Sequence, residues 1–226
     1  MIKALIFDFD GLIMDTESPS VDGWKAIFAE YDQEFPLQAW IQAVVGVSDA
    51  SFDAAAYLAA KTGLDLDLEA LRNRQLTYRL EIQSKLPALP GVNDYIQTAR
   101  RLGLRLAIAS SSGRERLEGY LRQLGLFEDF DVIVCREDVT RIKPDPELFL
   151  KARDALKLRT QDVLVFEDSP NGVLAANRAG MRVVAVPNPI TAQATIKGAS
   201  LLLASLADMP LEELLKQFEQ PYQANK

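Results

Sequence analysis

Five short apolar runs constrain this chain more than any other feature: "ALIFDFD", "LRLAIASSS", "FDVIVC", "DVLVFED" and "RVVAV". A strand that is apolar on both sides must be covered on both sides, and parallel strands need a long, usually helical, crossover between them. The segments "VNDYIQTARRLG", "RERLEGYLRQLG", "DPELFLKARDALKL" and "SPNGVLAANRAG" carry apolar residues three and four apart. Three of them close on a glycine, Gly103, Gly125 and Gly180, as helices commonly do. The pattern predicts an α/β fold, a parallel sheet flanked by helices. Residues 16–87 break it: "VDGWKAIFAEY" and "LEALRNRQLTYRLEIQ" are amphipathic, no stretch there reads as a strand, and "LPALPGV" ends the segment. We therefore expect a core of residues 1–15 and 88–226 with a small helical domain, 16–87, inserted after the first strand. The tail "FEQPYQANK" reads as a frayed end.

Composition narrows the chemistry. With 32 acidic against 25 basic side chains the net charge is −7, which argues against nucleic acid or an anionic membrane surface as partner. There is no histidine and one cysteine, Cys135. That removes Ser-His-Asp and Cys-His catalysis, imidazole-ligated metals and an intramolecular disulfide, and leaves oxygen ligands for a hard cation such as Mg2+. The first apolar run is broken at once by Asp8 and Asp10, too early for a signal peptide, and no stretch approaches the roughly 20 apolar residues of a membrane span. A cytoplasmic protein is expected.

In an open parallel sheet, ligands gather at the carboxyl ends of the strands. Polar groups follow three of the apolar runs directly: Asp8 and Asp10; Ser110, Ser111 and Ser112; Glu167, Asp168 and Ser169. A fourth cluster, "RIKPDPE", carries Lys143. Burying a carboxylate without a partner is costly, so Asp8, set between Phe7 and Phe9, calls for cations or a metal. Asp8, Asp10 and Asp168 suit a hard cation, while Ser110, the amides of a strand-to-helix turn and Lys143 suit a phosphate. One aspartate is then free to attack phosphorus. Plainer roles stand beside these: Asp168 or Ser169 capping the helix at Pro170, Ser112 capping the helix after it, and Trp24, Phe28 and Tyr31 packing inside the insertion. Arg114 either stays solvated or reaches the phosphate. Arg72, Arg74 and Arg79 read as a solvated helix face, with Arg74 the one candidate for a substrate contact.

"DFDGLIMDT", the serine after "LAIA", "IKPDPELF" and "FEDSPNG" resemble, in order, the four motifs of the haloacid dehalogenase superfamily. The inserted helical segment resembles that of its C1-capped subfamily IA, which includes β-phosphoglucomutase and phosphoglycolate phosphatase. The resemblance implies a Rossmann-like core with a helical cap and a small phosphorylated metabolite as partner. It makes Asp8 the nucleophile and a Mg2+ ligand, and Asp10 the general acid/base that also lends its backbone carbonyl to the metal. Asp168 becomes a further metal ligand, with Glu167 a ligand or a partner behind it. Gly11, Ser110, Ser111 and Lys143 hold the phosphoryl group.

Val45 and Asp49 stand where the mutases carry basic residues, and Ser20 where they carry a histidine. An anionic Asp49 would repel a second phosphate, which favours hydrolysis. The expected activity is that of a Mg2+-dependent phosphatase acting on a small phosphomonoester, a sugar phosphate foremost, through an aspartyl phosphate. The alternatives are a β-phosphoglucomutase-like phosphosugar mutase that uses Arg74 or another cation of the helical insertion, and a non-catalytic phosphate-binding protein. Closure of the cap about residues 14–16 and 86–90 is expected to exclude water. Oligomeric state stays open, with a monomer favoured.

Overall fold

The computed structural model describes residues 1–44 and 52–219; Val45 and Asp49 lie outside the described residues. The five apolar runs form β1 (Ala4–Phe7), β2 (Arg105–Ala109), β3 (Val132–Val134), β4 (Val163–Glu167) and β5 (Arg182–Ala185). A sixth strand, β6 (Leu201–Leu202), adds to the edge. Two residues are too few to leave a periodic signal, which is why β6 is not apparent in the sequence. All neighbours are parallel and the order is β3-β2-β1-β4-β5-β6.

Alternation along β1 shows why its run is apolar throughout. Leu5 and Phe7 enter one core with Tyr95, Ile108 and Phe166, whereas Ala4 and Ile6 enter the other with Phe149 and Val165. Phe7 stacks on Phe166 of the neighbouring strand, ring centroids 4.8 Å apart. The covering helices are α5 (Val92–Arg101), α6 (Arg114–Gln123), α7 (Glu147–Leu156) and α8 (Pro170–Arg178), with α9 (Leu211–Gln217) near the end. Gly103, Gly125 and Gly180 take positive φ just beyond α5, α6 and α8; α7 closes instead on Lys157 at φ 58°. The chain beyond α9 does not fray at once: Phe218 is buried, its carbonyl accepts from Arg182 Nη1 at 2.8 Å, and the guanidinium lies over its ring.

Between β1 and α5 the described residues form only helices: α1 (Glu17–Ala29), α2 (Leu37–Val44), α3 (Ala54–Thr62) and α4 (Leu68–Gln83). They enclose an apolar cluster around Trp24, Phe28, Phe35 and Leu58, against which Tyr31 packs and which Ile190, from the connection between β5 and β6, completes. The two chain crossings are tied to each other and to the sheet side. Leu89 N donates to Ile13 O at 2.8 Å, and the buried Gln83 donates to Thr16 O at 2.8 Å while accepting from Tyr120 Oη of α6 at 2.7 Å. No helix of the described residues is long and apolar enough to cross a membrane.

Candidate active site

β1 is the switch point of the sheet: the chain leaves it toward β2 on one side and β4 lies on the other, so a crevice opens at its carboxyl end. Asp8 emerges there, and its backbone N–H still donates to Phe166 O of β4 at 3.0 Å. The next turn needs Gly11, at φ +79°, because a Cβ there would collide with Asn188 Nδ2 and the Asp168 carboxylate. Asp168 and Glu167 arrive from the end of β4. Lys143 reaches in from the loop before α7.

These four side chains meet in the interior. Asp8, Lys143, Glu167 and Asp168 are 7%, 2%, 0% and 3% exposed, too withdrawn for water to screen their charges. Lys143 Nζ donates to Asp8 Oδ1 and, at 2.6 Å, to Glu167 Oε1. The other Glu167 oxygen accepts from Asp168 N (3.0 Å), Ser169 N (3.1 Å) and Ser169 Oγ (3.1 Å). Asp168 Oδ2 accepts from Asn188 Nδ2 at 2.8 Å. Ser169 does cap α8, accepting from Gly172 N at 3.1 Å. A Cβ on Gly172 would fall inside the Glu167 carboxyl group. Gly172→Ala is therefore expected to lower stability by about 1–3 kcal/mol; an unchanged melting temperature would show that this packing is not tight.

One ammonium cannot neutralise three carboxylates. Burial, then the Glu167 and Asp10 charges, push Asp8 up to about 8 despite Lys143; burial, then Glu167 and Asp8, raise Asp168 as well. Burial works against a charge on Lys143 too, but Asp8 and Glu167 hold it protonated, above the ordinary lysine range. One oxygen each from Asp8, Glu167 and Asp168 lie within 4.8 Å of one another beside a cavity of about 40 Å³. Hard oxygen donors, excess negative charge and room for an ion fit a divalent cation such as Mg2+.

Asp10 borders the same small cavity but takes its hydrogen bonds from a different set of side chains. It accepts from Ser112 Oγ, from Ser110 Oγ at a long 3.4 Å, and from Arg116 Nη2 at 2.8 Å. Burial would raise its pKa, but Arg116, Ser112 and Thr16 hold it below the usual aspartate value. Asp10 lines a second, larger cavity of about 870 Å³ between the helical insertion and the sheet, together with Glu17, Trp24, Arg79, Ser111 and Arg116. Ser111 Oγ is buried there with no partner among the described residues.

Most of the residues singled out in the sequence thus come together, with Ser110, Ser111, Gly11 and Lys143 surrounding Asp8 and Asp10. Arg74 does not join them; it is exposed on α4, paired with Glu30, while Arg79 on the same helix lines the cavity. Arg114 bonds Glu118 and Asp138, and it is Arg116 that meets Asp10. Residues two apart on a helix point roughly 200° apart, so the phase of α6 from its start at Gly113 carried the distinction. Asn188 shares the signal that found the others, a polar residue just beyond an apolar strand. Glu17, pushed up to about 7 by burial and by Asp10, borders both cavities and has no such signal.

Residues 5–186 match the haloacid dehalogenase-like hydrolase family. The chain is 43% identical over 218 residues to a Bacillus subtilis (strain 168) protein named "Putative phosphatase YhcW", covering 95% of this chain and 97% of that one. It is 30% identical to the "Phosphorylated carbohydrates phosphatase" of Thermotoga maritima over 80% and 82% of the two chains. Among solved structures, CbbY from Rhodobacter sphaeroides in complex with phosphate superposes with a TM-score of 0.69 at 26% identity, over 92% of this chain and 96% of that one. A parallel sheet with buried carboxylates at its switch point, and a match that runs from β1 through β5, place this chain in the family of haloacid dehalogenase-like hydrolases.

Proposed function

We propose that this haloacid dehalogenase-like phosphatase hydrolyses a small phosphomonoester, a sugar phosphate foremost, with Asp8 as nucleophile and Mg2+ as cofactor. The observation that carries the reading is the trio of buried carboxylates around one lysine, set beside a cavity large enough for a sugar phosphate. Asp8, Asp168 and the Asp10 carbonyl would hold the metal, which when bound offsets charge on the phosphoryl oxygens. Glu167, whose two oxygens accept four hydrogen bonds, fixes Lys143 and the turn at Asp168.

An Asp8 oxygen attacks phosphorus, the ester oxygen leaves with a proton from Asp10, which enters this step protonated against the hold of Arg116 and Ser112 on its anion, and an aspartyl phosphate remains. Asp10 then takes a proton from water, whose oxygen attacks the same phosphorus; phosphate leaves and the Asp8 carboxylate returns. Lys143, the Ser110 and Ser111 region and the turn at Gly11 bind the phosphoryl group in both halves. The helical segment 16–87 acts as the cap that excludes water and reads the rest of the substrate. A cytoplasmic location belongs to this reading, where a free thiol such as Cys135 persists.

Phosphate release from a panel of sugar phosphates tests it. Release is expected with Mg2+, lower by roughly 100-fold or more with EDTA, and restored by added Mg2+. Undiminished release in EDTA would remove the metal from the mechanism, and no release from any compound would remove the phosphatase.

A further inference from the structure

A single side-chain amide bridges the turn after β1, with Gly11, and the turn after β4, with Asp168. It belongs to Asn188, buried in the connection just beyond β5. Asn188 Oδ1 accepts from Ile190 N at 2.8 Å and from Thr191 N at 3.0 Å, and the Asn188 backbone N–H donates to Thr191 Oγ1 at 2.9 Å. Two backbone donors on one oxygen fix which end of the amide is which. Nδ2 therefore faces the other way, donating to Asp168 Oδ2 at 2.8 Å and, at a longer 3.4 Å, to Gly11 O. The connection that carries the amide is itself anchored on both sides: Val186 N donates to Glu167 O at 2.7 Å, and Ile190 packs into the apolar cluster of the insertion.

Asp8 and Glu167 share the Lys143 ammonium, whereas Asp168 has no ion pair among the described residues. The bond from Asn188 is the one hydrogen bond to its carboxylate among them. Burial and the charges of Glu167 and Asp8 all oppose the Asp168 anion. A carboxylate in that setting turns away or takes a proton unless a donor holds the anion in place. An aspartate at this position could form the same turn, because its oxygen also accepts from the backbone two residues on. It could not donate to Asp168. The half of the amide that the turn does not use is thus the half that meets the carboxylate. We infer that Asn188 is a positioning residue, whose amide sets the Asp168 carboxylate in the orientation that a divalent cation requires. It governs cation affinity without being a ligand, since its oxygen is occupied by the turn and its nitrogen by Asp168.

The inference rests on the metal reading above, so cation binding is measured apart from turnover. Asn188→Ser makes the side chain too short to reach Asp168, while its hydroxyl can still accept from the N–H groups of the turn. Calorimetric titration with MgCl2, without substrate, is expected to give a Kd about tenfold or more above that of the unsubstituted protein. The rise in melting temperature brought by Mg2+ should shrink with it, and this second readout serves even if the variant is less stable. Thr191→Val loosens the same turn but leaves the amide beside Asp168; its melting temperature should fall while its Kd for Mg2+ stays level. In phosphate release, Asn188→Ser should need more Mg2+ for the half-maximal rate, by the same factor as the change in Kd, and regain the unsubstituted rate once Mg2+ saturates. An unchanged Kd and an unchanged Mg2+-dependent rise in Asn188→Ser would overturn the positioning role. So would a Kd raised equally by Thr191→Val, which would assign the effect to the turn. Failure of the metal reading shows separately, as no Mg2+ binding and no Mg2+-dependent release by the unsubstituted protein, and would remove this role as well.

Discussion

Asp8→Asn is expected to lower phosphate release by about 10⁴-fold or more with the fold intact. The substitution keeps the shape of the side chain and an oxygen that can still accept from Lys143, but an amide oxygen is a far poorer nucleophile toward phosphorus. It also removes one of three carboxylates crowded into a buried site, where repulsion from Glu167 and burial already disfavour the charge on Asp8. The melting temperature should accordingly stay level or rise. Rate loss together with retained stability separates a chemical role from a structural one. A variant that turns over within tenfold of the unsubstituted protein would exclude Asp8 as nucleophile, and a variant that unfolds would show the carboxylate to be needed for packing.

Lys143→Met should produce the opposite combination, loss of both rate and stability. The methionine fills a similar volume beside Phe149, over whose ring the ammonium now lies at 4.8 Å, but leaves Asp8 and Glu167 buried without their cation. Removing one partner of a buried ionic cluster costs about 3–5 kcal/mol, which for a chain of this size corresponds to a fall in melting temperature of roughly 6–20 °C. The rate should fall by about 10²–10³-fold, as for loss of one donor that stabilises transition-state charge. Mg2+ is expected to recover part of the stability, because it brings positive charge to the same carboxylates. It should not recover the rate, because the lysine is also proposed to meet the phosphoryl oxygens. A melting temperature unchanged by the substitution would mean that the carboxylates are neutral in the folded protein and that Lys143 is not their counter-charge.

The fold was legible because its signals are local and redundant. Runs such as "ALIF" and "VLVFE" are apolar at every position because helices cover both faces of the sheet, and Gly103, Gly125 and Gly180 mark helix ends through a backbone conformation that disfavours other residues. Asp8, Ser110 and Asp168 stood out for the same reason: each interrupts such a run at a strand end, so strand polarity alone brings them to one edge. β6 escaped because it is two residues long, and Phe218 because its burial depends on Arg182, 36 positions away.

What the sequence determined by itself was therefore the parallel sheet, its helical insertion and the strand-end clustering of carboxylates, serines and a lysine, since those follow from periodicity and from the direction of the chain. Tertiary structure alone decided which charges pair. Helix phase and inter-element distance chose Arg116 over Arg114 for Asp10, set Arg74 against Glu30 in solvent, and left Arg79 facing the cavity with its Nε unpaired. Electrostatic partnership falls off over a few ångströms and so depends on side-chain placement that no local pattern encodes.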